Sequence, residues 1–508
     1  MTDEFTNAQE DVNEESELDN NLEKNPNKNV ITPRDENYSK WYLDVIREAK
    51  LADNSPVKGC MVIRENGFAI WENIQKALDG MFKEKGVKNA YFPLFIPKKF
   101  FEKEAEHVEG FAKECAVVTH GRLALDEKGK LTPDGKLDEP LIIRPTSETI
   151  IYSMYSKWIN SFRDLPVLIN QWANIVRMEL RTKPFLRTTE FLWQEGHTAH
   201  QEEKEAEQMT LDMLEVYKKF TEEYLAIPVI SGRKSESEKF AGAVYTTSIE
   251  AMMQDSKALQ CGTSHMLGQN FAKPFNVKFA GPDGKEEYVW QTSWGISTRI
   301  IGALIMTHSD DVGLVLPPEI APVQVVIATI KNSDKIISKA TELKKQLDDS
   351  GIRCEIDDRD QRPGVKFFDN ERKGTPIRIE LGEREVESNK FNLARRDNGE
   401  KTEVASGDLA AKTKDLLETI QKDLFDKAKK LLDDKTFETN SYEEFKDIFA
   451  KENAFVKSDW CGENECEAKI QEETGATIRV IPFDEKPKSD KCLCGKPAKE
   501  RVVFGRAY

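Results

Sequence analysis

Residues 172–200 read WANIVRMELRTKPFLRTTEFLWQEGHTAH, and the fold turns on how this stretch is read. Arg177, Arg181, Lys183 and Arg187 stand beside Glu179, Glu190 and Glu195, framed by Trp172, Phe185, Phe191, Leu192 and Trp193. A solvated face does not carry three aromatic residues within nine positions, and a core strand does not carry so many cations without partners. Residues 174–180 alternate as a half-buried strand does, 181–184 supply a turn, and 185–195 return as an aromatic-rich strand. Two antiparallel strands with an arginine on each present guanidiniums on one face, and these planar forks suit bidentate capture of carboxylate and phosphate oxygens. Phe191 offers a flat face to a base. The hairpin is therefore expected to bind a nucleotide and a small carboxylate. The plainer alternative is a hairpin laced by surface ion pairs, each contributing only ~0–1 kcal/mol.

Working outward, the chain has 508 residues, enough for two to four domains and a substantial core. No apolar run approaches the ~20 residues that a bilayer helix needs, and no membrane partner is expected. The opening MTDEFTNAQEDVNEESELDNN is acidic with no apolar h-region, so a cytoplasmic protein is expected, with a disordered acidic tail over 1–33. A net charge of −16 excludes a uniformly basic nucleic-acid coat but not a local patch. Eight cysteines in such a chain point to thiols or metal ligands rather than disulfides.

Residues 67–82 place Ile70, Ile74, Ala77, Leu78 and Met81 at the spacing of a buried helical stripe. Residues 90–93 read as a strand stopped by Pro93, which must lie at a strand end or sheet edge because it lacks an N–H. LIIRPTSET, 141–149, is a short strand running into a polar turn, where Thr146 or Ser147 could cap the following helix. Residues 201–224 form an amphipathic helix with Ala206, Met209, Met213, Tyr217, Phe220 and Tyr224 on one stripe. ALQCGTSHMLGQ, 258–269, reads as a polar loop. Residues 288–306 begin as a strand, break at Gly295 and continue as an apolar helix entered by Arg299. An unpaired cation there is costly, so an anionic partner is expected, a ligand or an internal carboxylate.

Beyond Leu316-Pro317-Pro318 a strand, a helix and a second strand make a βαβ unit, hence a separate α/β domain with a parallel sheet. Arg359, Lys366, Arg372, Lys373 and Arg378 are its candidates for phosphate or base contacts, with solvated charge as the alternative for each. Neither G-x-x-x-x-G-K-[ST] nor G-x-G-x-x-G occurs, so the phosphate grip is expected from arginine side chains.

These residues carry a resemblance. Arg177-x-Glu179, Arg187-x-x-x-Phe191, the strand closed by Pro93, and Gly295-x-x-x-Arg299 resemble motifs 2, 1 and 3 of class II aminoacyl-tRNA synthetases. RPTSET (144–149), FLWQEGHTAH (191–200), CGTSH (261–265) and the closing GRAY (505–508) resemble the prolyl-tRNA synthetases of the archaeal and eukaryotic type, over Thr32 to Tyr508. The resemblance implies an α+β catalytic domain over 34–317 (an antiparallel sheet with flanking helices), an α/β anticodon-binding domain over 318–425 and a small α/β zinc-containing domain over 426–508. It implies a homodimer that joins L-proline to tRNA(Pro) with ATP and Mg²⁺, through prolyl-adenylate and without a side-chain nucleophile. Position by position it implies proline contacts at Thr146, Glu148, Arg177 and His265 with Ser147 beside them, Trp193 walling the ring, and Glu195 and His197 in support. For ATP it implies Arg177, Glu179, Thr188, Thr189, Gln260, Thr263, Ser297 and Arg299, with Phe191 as adenine platform and Arg177 and Arg299 as the catalytic cations. Tyr508 resembles a family terminus that folds back toward the catalytic domain.

Too few residues separate Glu195 from Gly295 for an inserted editing domain, so none is expected. A threonyl or seryl enzyme, or a paralogue that charges no tRNA, stays open as an alternative. Cys461-x4-Cys466 and Cys492-x-Cys494, with glycine after Cys461 and Cys494, make a candidate four-thiolate zinc site. Four free thiols or a redox pair are the other readings, the second disfavoured by the spacing.

Overall fold

The computed structural model describes residues 31–102 and 114–508. The tail expected to be disordered over 1–33 lies, except for its last three residues, outside the described residues. A seven-stranded sheet forms the centre. Its strands run in the order Lys88–Asn89, Val167–Val176, Glu190–His200, Trp290–Ser297, Ala258–Gly268, Tyr245–Met252 and Val229–Arg233. All neighbours are antiparallel except the short first pair.

The amphipathic stripes cover this sheet as their spacing requires. The helix Glu65–Glu84 buries Ile70, Trp71, Ile74, Leu78 and Phe82, and Glu203–Glu223 buries Met213, Tyr217 and Phe220. Both join the helix Arg299–His308 in one core. A second core packs Ile151, Tyr152 and Tyr155 of the helix Glu148–Trp158 against Phe271 and Phe275. At ~1.5–3 kcal/mol for each large apolar side chain removed from water, these stripes fix which face of the sheet is left for chemistry.

Four boundaries differ from the sequence reading. The hairpin strands end at Val176 and resume at Glu190, with Val176 opposite Glu190, so residues 177–189 form a loop rather than strand ends. Within that loop Phe185 sits buried at φ 61°, a left-handed conformation that does not continue a strand. Residues 90–93 are not a strand; the edge strand is Lys88–Asn89, and Tyr91 beyond it is exposed. Gly295 lies inside the strand Trp290–Ser297, opposite Glu195, and the turn into the helix falls at Thr298. The polar loop expected at 258–269 is a central strand, Ala258–Gly268, whose polar residues serve a cavity rather than solvent.

A second sheet orders the strands Cys354–Asp357, Val325–Thr329, Ile377–Leu381, Lys390–Arg395 and Lys401–Ala405. The first three are parallel, as the βαβ reading expects, and the last two add antiparallel partners it did not foresee. The helix Leu409–Asp434 then leads to a third sheet of Thr436–Glu438, Phe455–Trp460, Glu500–Gly505 and Thr477–Val480. The chain finishes on the first sheet: Ala258 N–H donates to Arg506 O at 2.7 Å and Tyr508 N–H to Ala258 O at 3.2 Å. Among the described residues no helix is long and apolar enough to cross a membrane.

Candidate active site

Three neighbouring strands turn alternate side chains toward one cavity of ≈ 280 Å³. Phe191, Trp193, Glu195 and His197 come from one strand, and Ser293, Gly295 and Ser297 from the next, as a period of two requires. The third strand supplies Gln260, Thr263 and His265, where 260 and 263 have opposite parity. A bulge reconciles them: Ile249 pairs with Gly262 and Glu250 with Gln260, leaving Cys261 as an extra residue that re-aims Gln260 onto the same face. Close packing behind the cavity leaves no room for a side chain at Gly196, where a Cβ would fall 1.9 Å from the Trp294 ring.

The start of the helix Glu148–Trp158 closes one side. Ser147 occupies the N-cap position, yet its side chain makes no cap hydrogen bond. Instead Ser147 Oγ donates to Glu195 Oε1, which also accepts from Gln171 Nε2, while Thr146 Oγ1 donates to Glu148. The capping function read from TSET has given way to a buried polar network. On the far side of Glu195, His197 Nε2 lies 2.9 Å from Oε2, and Tyr152 Oη lies 3.2 Å from His197 Nδ1. Burial alone would raise Glu195, but the hydrogen bond and charge of His197, with the Ser147 and Gln171 bonds, hold it below its ordinary value. Burial would likewise lower His197, and the Glu195 hydrogen bond and charge raise it instead. Each thus favours the charged form of the other. His265 is the opposite case: burial pushes it down to about 3, so it meets a ligand as a neutral ring, with Nδ1 2.9 Å from Thr246 Oγ1.

Two arginines bring positive charge. Arg177 is anchored by its Nε, which donates to Pro145 O at 3.0 Å, and its Cζ lies 5.6 Å from the ring centres of both Phe191 and Trp193. Arg299, the first residue of its helix, donates from Nε to Leu186 O at 3.0 Å. Among the described residues Arg299 forms no salt bridge. Burial lowers both guanidiniums from their ordinary value, and each still remains a cation at neutral pH. Arg177 feels the repulsion of Arg299 and the attraction of Glu148, so all three charges share one field. Two further buried polar atoms on the cavity's residues, Trp193 Nε1 and Ser293 Oγ, have no hydrogen-bond partner among the described residues, which suits a polar ligand.

The cavity thus gathers Thr146, Glu148, Arg177, Gln260, Thr263, His265, Ser297 and Arg299 from the residues singled out in the sequence. It does not include Ser147, which acts through Glu195, nor Glu179, Thr188 and Thr189. Glu179 pairs with Arg187 at 3.1 Å, Thr188 Oγ1 donates to Glu190 O at 2.8 Å, and Thr189 N–H donates to Gly59 O at 2.8 Å. Sequence reading missed Glu238, Phe240 and Thr246, which also line it. Glu238 and Phe240 belong to a charged, irregular segment with no periodic signal.

The C-terminal cysteines do converge. The sulfurs of Cys461, Cys466, Cys492 and Cys494 all lie within 4.8 Å of one another, with closest approaches of 3.4, 3.6 and 3.8 Å. Tetrahedral zinc with Zn–S near 2.3 Å needs sulfurs about 3.8 Å apart, so the donor set fits. Four thiolates this close repel one another unless a cation joins them. Metal analysis is expected to give one zinc per chain, lost in the Cys466→Ser/Cys492→Ser double variant; an unchanged metal content there would exclude the site.

Of the five candidate nucleic-acid cations in the second domain, Lys366 is buried, its Nζ donating to Thr329 O at 3.0 Å, so it braces the fold. Arg359 is held by Asp357 and Asp369, Arg372 by Glu48, and Arg378 by Glu371 and Glu380. Lys373 alone of the five has neither a salt bridge nor a side-chain hydrogen bond among the described residues.

Comparison with known proteins bears on this site directly. Residues 131–308 match the family described as tRNA synthetase class II core domain (G, H, P, S and T), residues 324–416 the anticodon binding domain, and residues 442–508 the C-terminal domain of prolyl-tRNA synthetase. The chain is 54% identical over 488 residues to the proline–tRNA ligase of Salinibacter ruber, covering 94% of this chain and 99% of that one. It is 57% identical over 491 residues to that of Chloroherpeton thalassium and 54% over 487 to that of Porphyromonas gingivalis, with the same coverage.

Proposed function

The chain belongs to the prolyl-tRNA synthetases, class II enzymes named proline–tRNA ligases, and from that premise we propose how its cleft does the work. Proline's carboxylate attacks the α-phosphorus of ATP, giving prolyl-adenylate and pyrophosphate. The terminal adenosine hydroxyl of tRNA(Pro) then takes the prolyl group, and AMP leaves. The observation that carries this reading is that Arg177 and Arg299 open on one cavity that also holds Glu148.

Glu148 accepts from the secondary ammonium of proline, Arg177 clamps its carboxylate, and Thr146, His265 and Trp193 enclose the ring. Ser147 and His197 keep Glu195 in place behind them. Gln260, Thr263, Ser297 and Arg299 receive ATP, with Phe191 beneath the adenine. Magnesium bound with ATP would supply further charge neutralisation on the phosphates. Glu179, Thr188 and Thr189 stand outside the cavity lining, on the loop between the two hairpin strands, and meet ATP from there together with Arg177. With no side-chain nucleophile required, alignment in the cleft can supply ~7–11 kcal/mol of the barrier, and the two guanidiniums meet charge that develops on the phosphorus oxygens.

The same reading assigns residues 34–317 to catalysis, 318–425 to the anticodon and 426–508 to the cysteine module, with the helix Leu409–Asp434 spanning the last boundary. It includes no editing insertion. In support, the chain between Glu195 and Gly295 is taken up by the helix Glu203–Glu223, three strands of the central sheet and a short hairpin. A homodimer in the cytoplasm completes it, with the exposed Leu123, Leu125 and Leu131 offering apolar surface; a single-chain mass by light scattering would overturn the dimer.

ATP–pyrophosphate exchange scanned across the amino acids is the decisive experiment. Proline should support exchange well above every other amino acid, and preferential exchange with threonine or serine would refute the assignment. Alanyl-tRNA(Pro) should persist in the presence of the pure protein, since rapid deacylation requires an editing site.

A further inference from the structure

The segment 234–240 joins two places that the reaction does not obviously connect. At one end, Glu238 and Phe240 line the cavity, and the Phe240 ring lies 4.6 Å from the ring of His265. Phe240 N–H also donates to Thr246 Oγ1 at 2.9 Å, the same hydroxyl that lies 2.9 Å from His265 Nδ1. At the other end, the segment is gripped by the C-terminal module. Ser235 Oγ donates to Glu467 Oε1 at 3.0 Å and Ser237 Oγ to Glu467 Oε2 at 2.7 Å, so one carboxylate spans both hydroxyls. Ser235 and Glu467 are buried. Gly232, just before the segment, admits no side chain, because a Cβ would fall 2.4 Å from Ile481 O.

Glu467 is presented by the residue next to it. Cys466 and Glu467 both lie in the first turn of the helix Asn464–Thr474, and Cys466 belongs to the cysteine cluster. A cation held by the four sulfurs would fix the start of that helix and with it the carboxylate. The alternative is that Glu467 merely satisfies two buried hydroxyls at an interface. In that case its loss would weaken the module without favouring one substrate, whereas the short path from Ser237 to Glu238 and Phe240 ends on the amino-acid side of the cavity, beside His265.

We propose that Glu467 is a positioning residue for the amino-acid pocket: set by the cysteine cluster, its carboxylate bridges Ser235 and Ser237 and so holds Glu238 and Phe240 in the wall against His265. In its substrate this deepens the proline reading and rests on it; in its geometry it does not. The physical basis is preorganisation, since a wall ordered before the ligand arrives spares binding the cost of ordering it.

Two measurements on the full-length protein test it. In hydrogen–deuterium exchange, Glu467→Ala should raise exchange of the backbone amides across 234–246 by tenfold or more, while the strand Glu190–His200 keeps its protection. Stripping zinc from the wild type with a chelator should produce the same local change. In ATP–pyrophosphate exchange, Glu467→Ala should raise the KM for proline about tenfold and leave the KM for ATP within twofold. Glu467→Gln can still accept from one serine and donate to the other, so it should return both readouts to near the wild-type values. Ser237→Ala, at an exposed position, repeats the test if Glu467→Ala is poorly soluble. Unchanged protection across 234–246 would overturn the proposal whatever the amino acid used, as would equal rises in both KM values or a failure of Gln to rescue. Absence of proline-dependent exchange in the wild type would instead count against the functional reading, with the protection data still deciding the coupling.

Discussion

Replacing Arg299 with alanine should lower proline-dependent ATP–pyrophosphate exchange by about 10²–10³-fold or more, the loss associated with removing one preorganised electrostatic group, ~2.7–4 kcal/mol. The structural reason is an imbalance. Arg299 opens on the cavity beside Arg177, burial lowers its pKa, and among the described residues no carboxylate forms a salt bridge with it. A cation kept in that condition costs the folded state free energy until an anion arrives, and the phosphates of ATP are that anion. Stability should therefore stay level or rise in Arg299→Ala, so an unchanged melting transition accompanies the lost exchange. Arg299→Lys keeps the charge and loses the planar fork, and should fall between the two. Exchange within threefold of the wild type in the alanine variant would remove Arg299 from the mechanism.

Glu250→Ala should destabilise the folded chain by about 3–5 kcal/mol, the range for stripping one partner from a buried ion pair. Glu250 is fully buried and meets Lys234 Nζ at 2.8 Å and the Arg479 guanidinium at 3.0–3.2 Å, so alanine would leave two buried cations facing each other. Burial alone would raise the Glu250 pKa, but the charges and hydrogen bonds of Lys234 and Arg479 outweigh it and hold it below 4.5. A depressed carboxyl pKa contributes stability that is complete above the unfolded value of 4.5 and disappears as pH falls through the folded value. Lys234 shifts down from 10.5 because it is buried, so its own protonation opposes folding below that pH, and Glu250 is what offsets the penalty. Melting temperature followed from pH 7 to pH 3 should thus drop steeply below 4.5 in the wild type. In Glu250→Ala it should start lower and fall less. A parallel curve for the variant would show that this triad does not govern acid stability.

Much of this architecture was legible in the chain itself, for identifiable reasons. Ile70, Ile74 and Leu78, or Met213, Tyr217 and Phe220, recur at helical spacing, and their burial follows from it. Arg177 and Arg299 stood out because a permanent cation among apolar neighbours is expensive. The reading failed where side-chain periodicity is decoupled from backbone state. The strand Ala258–Gly268 reads as a loop because a bulge at Cys261 breaks its alternation and because its polar residues face a cavity, not water. Ser147 resembles a helix cap, yet tertiary bonding to Glu195 recruits its hydroxyl. Lys366 resembles a surface cation, yet its ammonium is spent on the Thr329 carbonyl. Glu238 and Phe240 gave no warning at all, since their place in the cavity wall depends on Thr246, His265 and the distant Glu467.

The outermost strand of the catalytic sheet, Val229–Arg233, is covered by the C-terminal module: Arg233 N–H donates to Ile481 O at 2.9 Å and Ile481 N–H to Arg233 O at 2.7 Å. A chain cut before that module would bare a β-edge with unmet backbone donors and acceptors, ready to zip onto the same edge of another copy. Loss of the module, by proteolysis or a premature stop, should therefore yield aggregates rather than a smaller soluble enzyme.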